Sequence, residues 1–567
     1  MRRLAIIPLA LVILLAAAMV WSGGAAEKKA DFSFINRGEI KTLDPNRMSW
    51  LQDIRVGSAL WEGLYTLEPQ TLEPVLGAAD RADVSADKKT YTFHIRDTAR
   101  WSDGEDLLAS DFVFAWRRML EEPGDYTYLF HYIAGAQAYE EAYAMRAEQR
   151  WVPDGKGSTM LLVPEKVAFA TVGIEAVDGK TLRVKLGNPV PFFPDLCAFA
   201  PFYPLQEKSM RKFAQDLKHD GHISYDPSFT TPPNLVTNGP YRLESWQYRR
   251  RLRLAANEHY WDRASIKSPI IDQISAEDPS VQFNIYQAGR VDWLSDVSPD
   301  IAAELRKKGR EDLHVFPGFG TYFYSINCNP KLPDGRVNPL IDVRVRQALA
   351  MAIDKRPIVE NVTRMGEPVT ENYIPRGIFP KYRSPNGLPH DIERAKKLLA
   401  EAGYPGGKGF PKVGILFNTG AHHDAVAQII ARQWQTELGI NVGLEGVEVK
   451  IFGNRLRSQD YAIARASWIG DYNDPSTFTD KYLSVSENND SKWVSREYDD
   501  LCAAAVVEAD PAKRLELLSQ AEEILLREAP IIPIYSYVNV DMSRPNVKGI
   551  PRSPRNMINF KSVEVER

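Results

Sequence analysis

Hydrophobic positions recur with two different spacings along this chain, and segments with one spacing alternate with segments that have the other. Strand-like apolar or alternating runs occur at residues 89–96, 414–417 and 440–444. Helical spacing of about 3.6 residues occurs at residues 112–120, 341–353, 392–402 and 423–438. Ser110 and Asp111 are predicted to cap the first of these helices, and Gly403 to end the third. Because strands and helices interleave, the pattern predicts α/β layering.

The first 26 residues have the pattern of a secretory signal peptide. Arg2 and Arg3 precede an apolar run from Leu4 to Trp21, and small residues follow as far as Ala26. This order predicts cleavage after Ala26. The run of 18 residues is also long enough to cross a bilayer, so an uncleaved anchor is the alternative. No cysteine follows for lipid attachment, which favours a protein of the periplasm.

Length and charge narrow the class of protein. A chain of 567 residues exceeds the ~250–300 residues of a single core, which predicts two or three lobes. The formal net charge of -4 gives no reason to expect a nucleic-acid partner. The one basic run lies at residues 249–253. Arginine alternates with leucine over residues 251–254, which predicts a strand with one solvent-exposed face.

Catalytic and metal-binding motifs are weak in this sequence. Cys197, Cys328 and Cys502 are too far apart for a CxxC site, and each is predicted to be a small buried residue. HExxH, GxSxG and phosphate-loop patterns are absent, and a Ser-x-x-Lys pattern at residues 85–88 has no Lys-Thr-Gly partner. Adjacent histidines at 422 and 423 point to different faces of any element. We therefore expect no catalytic residue, no metal and no cofactor.

The most informative segment is Arg-Ala-Ser-Trp-Ile-Gly-Asp-Tyr-Asn-Asp-Pro at residues 465–475. An alternating run ends there in a sharp turn that places the carboxylate of Asp471 close to Trp468. In a cleft that excludes water, such a carboxylate would hold a cation. The alternative is that Asp471 accepts backbone N–H groups in an Asx-turn. Asp474, which precedes Pro475, is assigned to the turn itself.

This segment resembles the signature of the family 5 extracellular solute-binding proteins, and in particular their oligopeptide-binding members, the receptors of peptide-permease ABC transporters. Further likenesses to that family follow in order along the chain, at residues 42–45, 60–65, 101–104, 111–116, 237–241, 260–261, 289–292, 342–349 and 395–404. The resemblance implies a two-lobed periplasmic-binding-protein fold of class II, cluster C type, with an additional third domain and a ligand cleft between the lobes.

The resemblance also implies domain boundaries. The first lobe, domain I, is expected at residues 31–62, 178–319 and 539–567, and the additional domain II at residues 63–177. The second lobe, domain III, is expected at residues 320–538.

The resemblance implies a set of ligand-binding residues. Asp471 would take the free α-amino group of a peptide, while the backbone around it pairs with the extended ligand. For Trp50 and Trp468 ordinary apolar packing is the alternative. The expected site consists of Trp50, Leu51 and Gln52 from one lobe and His423, Arg465, Ser467, Trp468, Ile469 and Asp471 from the other.

The carboxyl end of the ligand is where the chain departs from its relatives. Arg465 would take the ligand carboxylate, and His423 would serve longer peptides once it gains charge below pH ~6.5. A residue at the start of a helix is the alternative for His423. The family has a lysine where this chain has residues 361–364, and paired cysteines where it has Gly320 and Ile469. Neither feature is present here.

The function implied is non-enzymatic. The resemblance implies a monomeric receptor in the periplasm that closes over a short peptide and delivers it to an inner-membrane permease. A non-peptide cargo such as a metal chelate, haem or a sugar is the alternative, as is a cell-wall or signalling peptide.

Overall fold

The computed structural model describes residues 28–69, 71–147, 150–153, 159–162, 167–216 and 223–567. The predicted signal peptide, residues 1–26, lies outside them. Within the described residues, ten strands form one mixed sheet. Their order across the sheet is Tyr241–Gln247, Arg251–Ala256, Ile270–Ile274, Phe32–Ile35, Trp293–Leu294, Ile531–Ser543, Leu313–Ile326, Ile463–Ile469, Val413–Asn418 and Val442–Val447.

Two long antiparallel strands, Leu313–Ile326 and Ile531–Ser543, lie next to each other in the middle of this sheet. Their pairing is interrupted between Pro317 and Thr321 and resumes beyond that point. The half of the sheet that contains Phe32–Ile35 is called the first lobe here, and the half that contains Ile463–Ile469 the second lobe. The long strands carry the chain between the two.

The remaining described strands form smaller sheets. A four-stranded antiparallel sheet consists of Ala79–Val84, Thr90–Ile95, Thr181–Lys185 and Ile174–Ala176. Two-stranded pairs are Tyr65–Leu67 with Pro74–Leu76, Arg150–Pro153 with Thr159–Leu162, Ala214–Gln215 with Ser224–Tyr225, and Val547–Lys548 with Glu564–Val565.

Helices cover both lobes. The described α-helices are Leu51–Leu60, Ala109–Glu121, Ala136–Ala147, Phe193–Leu196, Glu207–Met210, Pro279–Gln287, Pro299–Lys307, Val343–Met351, Arg356–Ile358, Ile392–Glu401, His423–Gln433, Val449–Arg457, Ser476–Thr479, Arg496–Val507 and Pro511–Glu528. Two π-helical turns, Val359–Thr363 and Trp434–Leu438, extend the helices before them. A 3₁₀-helix, Thr127–Tyr132, belongs to the region of the four-stranded sheet.

Hydrophobic cores follow the same division. The largest cluster gathers buried side chains from residues 32–293 and 558–563, with Tyr472 as its one member from elsewhere among the described residues. Two further clusters, drawn from residues 319–535, form the core of the second lobe. The largest cluster is separate from these two, although Tyr472 of the second lobe is buried in it.

Most of the predicted elements are confirmed, with shifts at their ends. The strands predicted at 89–96 and 414–417 are Thr90–Ile95 and Val413–Asn418, and Gly403 ends its helix with a φ of +95°. One detail was wrong. The first predicted helix is Ala109–Glu121, so Ser110 lies inside it. Asp111 does cap this helix, because its carboxylate accepts a hydrogen bond from the backbone N–H of Leu108, the N-cap residue, at 3.0 Å.

For the basic run the predicted strand is confirmed, but its predicted solvent-exposed face is not. Arg251–Ala256 is an inner strand of the sheet, and Arg253 is buried there in a two-bond ion pair with Asp272, at 2.7 Å for each bond. Of the three thiols, those of Cys197 and Cys502 are buried and that of Cys328 is partly buried. No helix among the described residues has the length and apolar character needed to span a membrane.

The predicted domain boundaries stay a prediction, although the interruption between Pro317 and Thr321 falls at one of them.

A buried ion pair anchors the turn at residues 471–475. Arg514 donates to both oxygens of Asp474 at 2.8 and 2.9 Å, and Asp474 also accepts from the Ser476 backbone N–H at 3.0 Å. The arginine belongs to the helix Pro511–Glu528, which begins after its Asp510 cap. The turn is thus tied to the longest helix of the second lobe.

Removing the arginine should destabilise the second lobe. Arg514→Met leaves the Asp474 carboxylate buried without its partner, and such losses lower the free energy of unfolding by ~3–5 kcal/mol. The double variant Arg514→Met/Asp474→Asn should lose less, because no charge is then left unpaired. Denaturant titration followed by circular dichroism measures both. Equal losses in the two variants would contradict the role of the ion pair.

Candidate ligand-binding cleft

A cavity of about 660 Å³ lies between the two lobes and receives side chains from both. Its size falls within the range of roughly 300–1,000 Å³ that is typical of ligand pockets. Eight of the nine predicted site residues line it, namely Trp50, Leu51, Gln52, His423, Arg465, Ser467, Ile469 and Asp471. The structure therefore brings together residues that are widely separated in the sequence.

Strand alternation determines which residues of Ile463–Ile469 face the cavity. Arg465, Ser467 and Ile469 line it, while Ala466 and Trp468 pack into a core of the second lobe. The indole N–H of Trp468 donates to the Thr477 carbonyl at 2.7 Å. Apolar packing, the alternative considered for Trp468, describes its side chain, because neighbouring residues of a strand point to opposite faces.

One edge of this strand is open. Ile463–Ile469 pairs with Leu313–Ile326 over its whole length, but on its other side only Ile463 and Ala464 have partners in Val413–Asn418. Within the described strands, residues 465–469 therefore have a free edge beside the cavity. Gly320 and Ile469, the pair noted in place of cysteines, are direct partners across the closed edge.

Asp471 lies at the end of this strand, partly buried, in the turn at residues 471–475. Its carboxylate accepts a 2.5 Å hydrogen bond from the Tyr128 hydroxyl, and its backbone N–H donates to Thr477 at 2.9 Å. Burial raises the pKa of Asp471 to about 6, against the opposing effects of the Tyr128 hydrogen bond and the charge of Arg555. The Asx-turn considered for Asp471 is formed by Asp474 instead.

Arg465 lies six residues before Asp471, at the other end of the cavity-facing strand. Its guanidinium donates to the Tyr537 hydroxyl at 3.2 Å and lies 5.1 Å from the centre of the Tyr322 ring. Its Nε atom is buried without a hydrogen-bond partner. Among the described residues, no carboxylate forms an ion pair with Arg465.

His423 begins the helix His423–Gln433 and is only 6% exposed. Its Nδ1 lies 3.2 Å from the Tyr322 hydroxyl. Burial, together with the charge of Arg465, lowers the pKa of His423 to about 3. The expectation that His423 gains charge near pH 6.5 is therefore wrong for this structure, and the ring acts as a neutral hydrogen-bonding group.

The three site residues expected from the other lobe, Trp50, Leu51 and Gln52, lie at the start of a helix. Trp50 is the residue before the helix Leu51–Leu60, and its carbonyl accepts from the backbone N–H groups of Asp53 and Ile54 at 2.9 and 3.0 Å. Because the first N–H groups of a helix have no intrahelical acceptor, this terminus offers donors to the cavity. The Trp50 ring is 54% exposed.

Sequence reasoning missed the tyrosines of the site. Tyr128 lies 343 positions from Asp471, and Tyr322 and Tyr537 belong to the two long strands. No motif marks them. The described residues contain no group of three or more His, Cys, Asp or Glu side chains that could hold a metal ion. His422 and His423 diverge, since His422 lies 3.6 Å from Asp300.

A family model for bacterial extracellular solute-binding proteins, family 5, matches residues 73–490 of this chain. The chain belongs to that family. A solute-binding protein of this family is expected to have its ligand cleft between two lobes, where the cavity lies.

Relatives cover nearly the whole chain. Oligopeptide-binding protein OppA of Bacillus subtilis is 32% identical over 86% of this chain and 84% of its own length. Periplasmic murein peptide-binding protein MppA of Escherichia coli is 31% identical over 94% of this chain and 93% of its own length. The structure of Haemophilus influenzae OppA in complex with the peptide RPPGFSPFR is similar with a TM-score of 0.73 and 29% identity, covering 95% of this chain and 100% of that one.

These likenesses confirm the predicted fold class. The solute-binding protein has the two-lobed, class II periplasmic-binding-protein fold with an additional domain. Its family is extracellular and several of its relatives are periplasmic proteins.

Ligand binding should weaken as pH falls through about 6, the pKa of Asp471 in this structure. The raised pKa means that the carboxylate is fully ionised only above that value, and below it a proton competes with a cationic ligand. Calorimetry with tetraalanine between pH 4.5 and 8 measures the effect. His422→Gln, which removes the neighbouring exposed imidazole, should keep the same profile. A flat profile, or one abolished in His422→Gln, would contradict the assignment to Asp471.

Proposed function

We propose that this solute-binding protein is the receptor of an ABC transporter and captures short peptides through both of their charged ends. The observation that carries the proposal is the placement of an unpaired guanidinium, Arg465, and a partly buried carboxylate, Asp471, at opposite ends of a strand with a free edge. A zwitterionic extended chain complements that arrangement. The names of the relatives, which bind oligopeptides or murein peptides, agree with it.

Binding would satisfy groups that are unsatisfied in the structure. The ligand's ammonium would pair with Asp471 and compete with, or join, the Tyr128 hydroxyl. Its backbone would pair with the free edge at residues 465–469, which recognises a peptide without reading its side chains. Its carboxylate would meet Arg465, whose planar guanidinium suits two-bond pairing. Neutral His423 would donate or accept a hydrogen bond nearby.

The distance between Asp471 and Arg465 sets an upper limit on the length of a peptide that is held at both ends. Asp471 lies six positions after Arg465, which corresponds to at most ~20 Å between their Cα atoms. An extended peptide reaches ~3.3–3.6 Å per residue, so peptides of up to about six residues would span both groups. Longer peptides would be held at one end only, or would displace the groups that close the cavity.

Non-peptide cargo is the second candidate. A protein named as probably deoxycholate-binding, from Escherichia coli, is 27% identical to this chain. A bile acid has a carboxylate for Arg465 but no ammonium for Asp471, so the carboxylate of Asp471 would stay uncompensated. Metal chelates, haem and sugars likewise lack the pair of charges. A cell-wall or signalling peptide with free termini would satisfy both groups.

The remaining parts of the proposal follow from the family. The protein binds its cargo without cleaving it and passes it to an inner-membrane permease. It acts as a monomer, because one chain supplies both walls of the cleft. Residues 1–26 direct it to the periplasm and are removed there, which puts the mature receptor in the compartment where peptides arrive.

Asp471 should be essential for binding peptides with a free amino terminus. Removing one partner of a buried charge pair costs about 2–5 kcal/mol, so Asp471→Asn should weaken binding of tetraalanine roughly 30-fold or more. Native protein should bind N-acetylated tetraalanine as weakly as the variant binds tetraalanine, because the acetylated peptide has no charge at its amino end. Asp424→Asn, at an exposed aspartate, is the matched control. Unchanged affinity of Asp471→Asn in calorimetry would refute the assignment.

Arg465 should recognise the other end of the ligand. A hydrogen bond to a charged group contributes ~1.5–3 kcal/mol, so Arg465→Met should weaken binding roughly 10- to 150-fold for peptides that reach it. The C-terminal amide of the same peptide should bind native protein and variant equally weakly, because the interaction is then absent from both. Exposed Arg432→Met is the control. A variant that discriminates acid from amide as well as native protein does would exclude Arg465.

A further inference from the structure

Tyr472, the residue after Asp471, crosses from one lobe into the core of the other. It follows the second-lobe strand Ile463–Ile469, yet its side chain is only 2% exposed and belongs to the core cluster of the first lobe. It is the one residue of that cluster, within the described chain, that lies between positions 293 and 558. A single aromatic ring from the second lobe is therefore buried in the core of the first lobe.

The ring is held by specific contacts. It stacks on Phe192 with 4.1 Å between ring centres and 11° between ring planes. Its hydroxyl lies 3.2 Å from the Tyr132 hydroxyl and donates to Asp480 at 3.2 Å. Tyr132 donates to the same Asp480 oxygen at 3.0 Å. Phe192 and Tyr132 pack in the first-lobe cluster, so these contacts join the lobes.

The neighbouring residues of the turn make the same crossing. The backbone N–H of Asn473 donates to buried Asp195 at 3.0 Å, and Arg555 donates to the other oxygen of that carboxylate at 2.5 Å. Tyr128 reaches Asp471 from the first-lobe side. Three consecutive residues, 471–473, are therefore held by the opposite lobe, and the middle one supplies the apolar contact.

Other contacts near the mouth of the cavity are weaker. Asp300 forms an ion pair with Arg364 at 2.7 Å, but the two side chains are 65% and 40% exposed. Exposed ion pairs are screened by solvent and contribute little. A buried aromatic side chain instead removes ~150–250 Å² from water. Among these contacts, the insertion of Tyr472 is the one that opening of the lobes would disrupt most.

We infer that Tyr472 is a positioning residue that locks the lobes together and couples engagement of Asp471 to closure of the cleft. A ligand that draws the turn at residues 471–475 toward the first lobe carries the ring into its slot against Phe192. Opening of the cleft must withdraw the ring before the ligand can leave. The coupling to ligand rests on the proposed function, because it requires that Asp471 contacts the cargo, whereas the lock itself does not.

Three variants test the lock. Tyr472→Ala removes the ring, Tyr472→Phe keeps the ring and removes the hydroxyl, and Phe192→Leu keeps an apolar side chain but removes the stacking partner. Small-angle scattering with and without saturating tetraalanine gives the radius of gyration, and stopped-flow fluorescence gives the rate constants. Asp300→Asn, which breaks the exposed ion pair, is the control.

The expected results separate locking from folding. Tyr472→Ala should have a larger radius of gyration without ligand and release tetraalanine faster, on the order of tenfold, with its association rate changed much less. Tyr472→Phe should retain most of the native behaviour, and Asp300→Asn all of it. In the double variant Tyr472→Ala/Phe192→Leu, the increases in radius of gyration and in dissociation rate should not add, because both residues belong to one contact.

Several outcomes would overturn the inference. A native radius of gyration and dissociation rate in Tyr472→Ala would do so, as would additive effects in the double variant. If Tyr472→Ala fails to fold, Phe192→Leu and Tyr472→Phe decide, and native behaviour in both would exclude the lock. If native protein binds no peptide at all, the proposed function fails, while the radii of the ligand-free native and variant proteins still decide whether Tyr472 holds the lobes together.

Discussion

The pairing of two long strands, Leu313–Ile326 and Ile531–Ser543, is the constraint on which the rest of this protein depends. These strands are shared by both lobes, and the interruption of their pairing contributes backbone to the cavity at Gly318 and Phe319. A Cβ atom at Gly318 would lie 2.8 Å from the Tyr537 carbonyl oxygen, so only glycine permits this close approach. The two lobes are therefore joined here by backbone whose strand pairing is interrupted.

Among the described residues, the two charged groups of the cleft proposed to bind the ligand have no ion-pair partner, unlike some other buried charges. Arg118 forms a two-bond ion pair with Asp44, and Arg514 forms one with Asp474. In the cleft, Arg465 meets aromatic rings and a phenol, and Asp471 a phenol. Such incomplete satisfaction is costly in the protein alone, and a ligand that brings the missing charges relieves it. In the proposed function, selectivity against ligands without those charges would follow from the same cost.

The lobes of this solute-binding protein also meet directly. Tyr128, Tyr132, Phe192 and Asp195 from the first-lobe side contact the turn that carries Asp471. The carboxylate proposed to bind the ligand and the contacts between the lobes are thus concentrated in one short turn. The same turn is anchored to the helix Pro511–Glu528 through Asp474 and Arg514.

The local pattern of the chain determined the α/β character, most helices and strands, and the place of the Asp471 turn at the end of an alternating strand. Its motifs also indicated the family. Only the tertiary structure decided which residues meet. Tyr128 and Asp471 are 343 positions apart, Trp468 turns its ring into a core, Arg253 is buried with Asp272, and His423 is held neutral by burial. Periodicity reports the environment of a residue averaged over one element, whereas these contacts and pKa shifts arise from elements brought together across the fold.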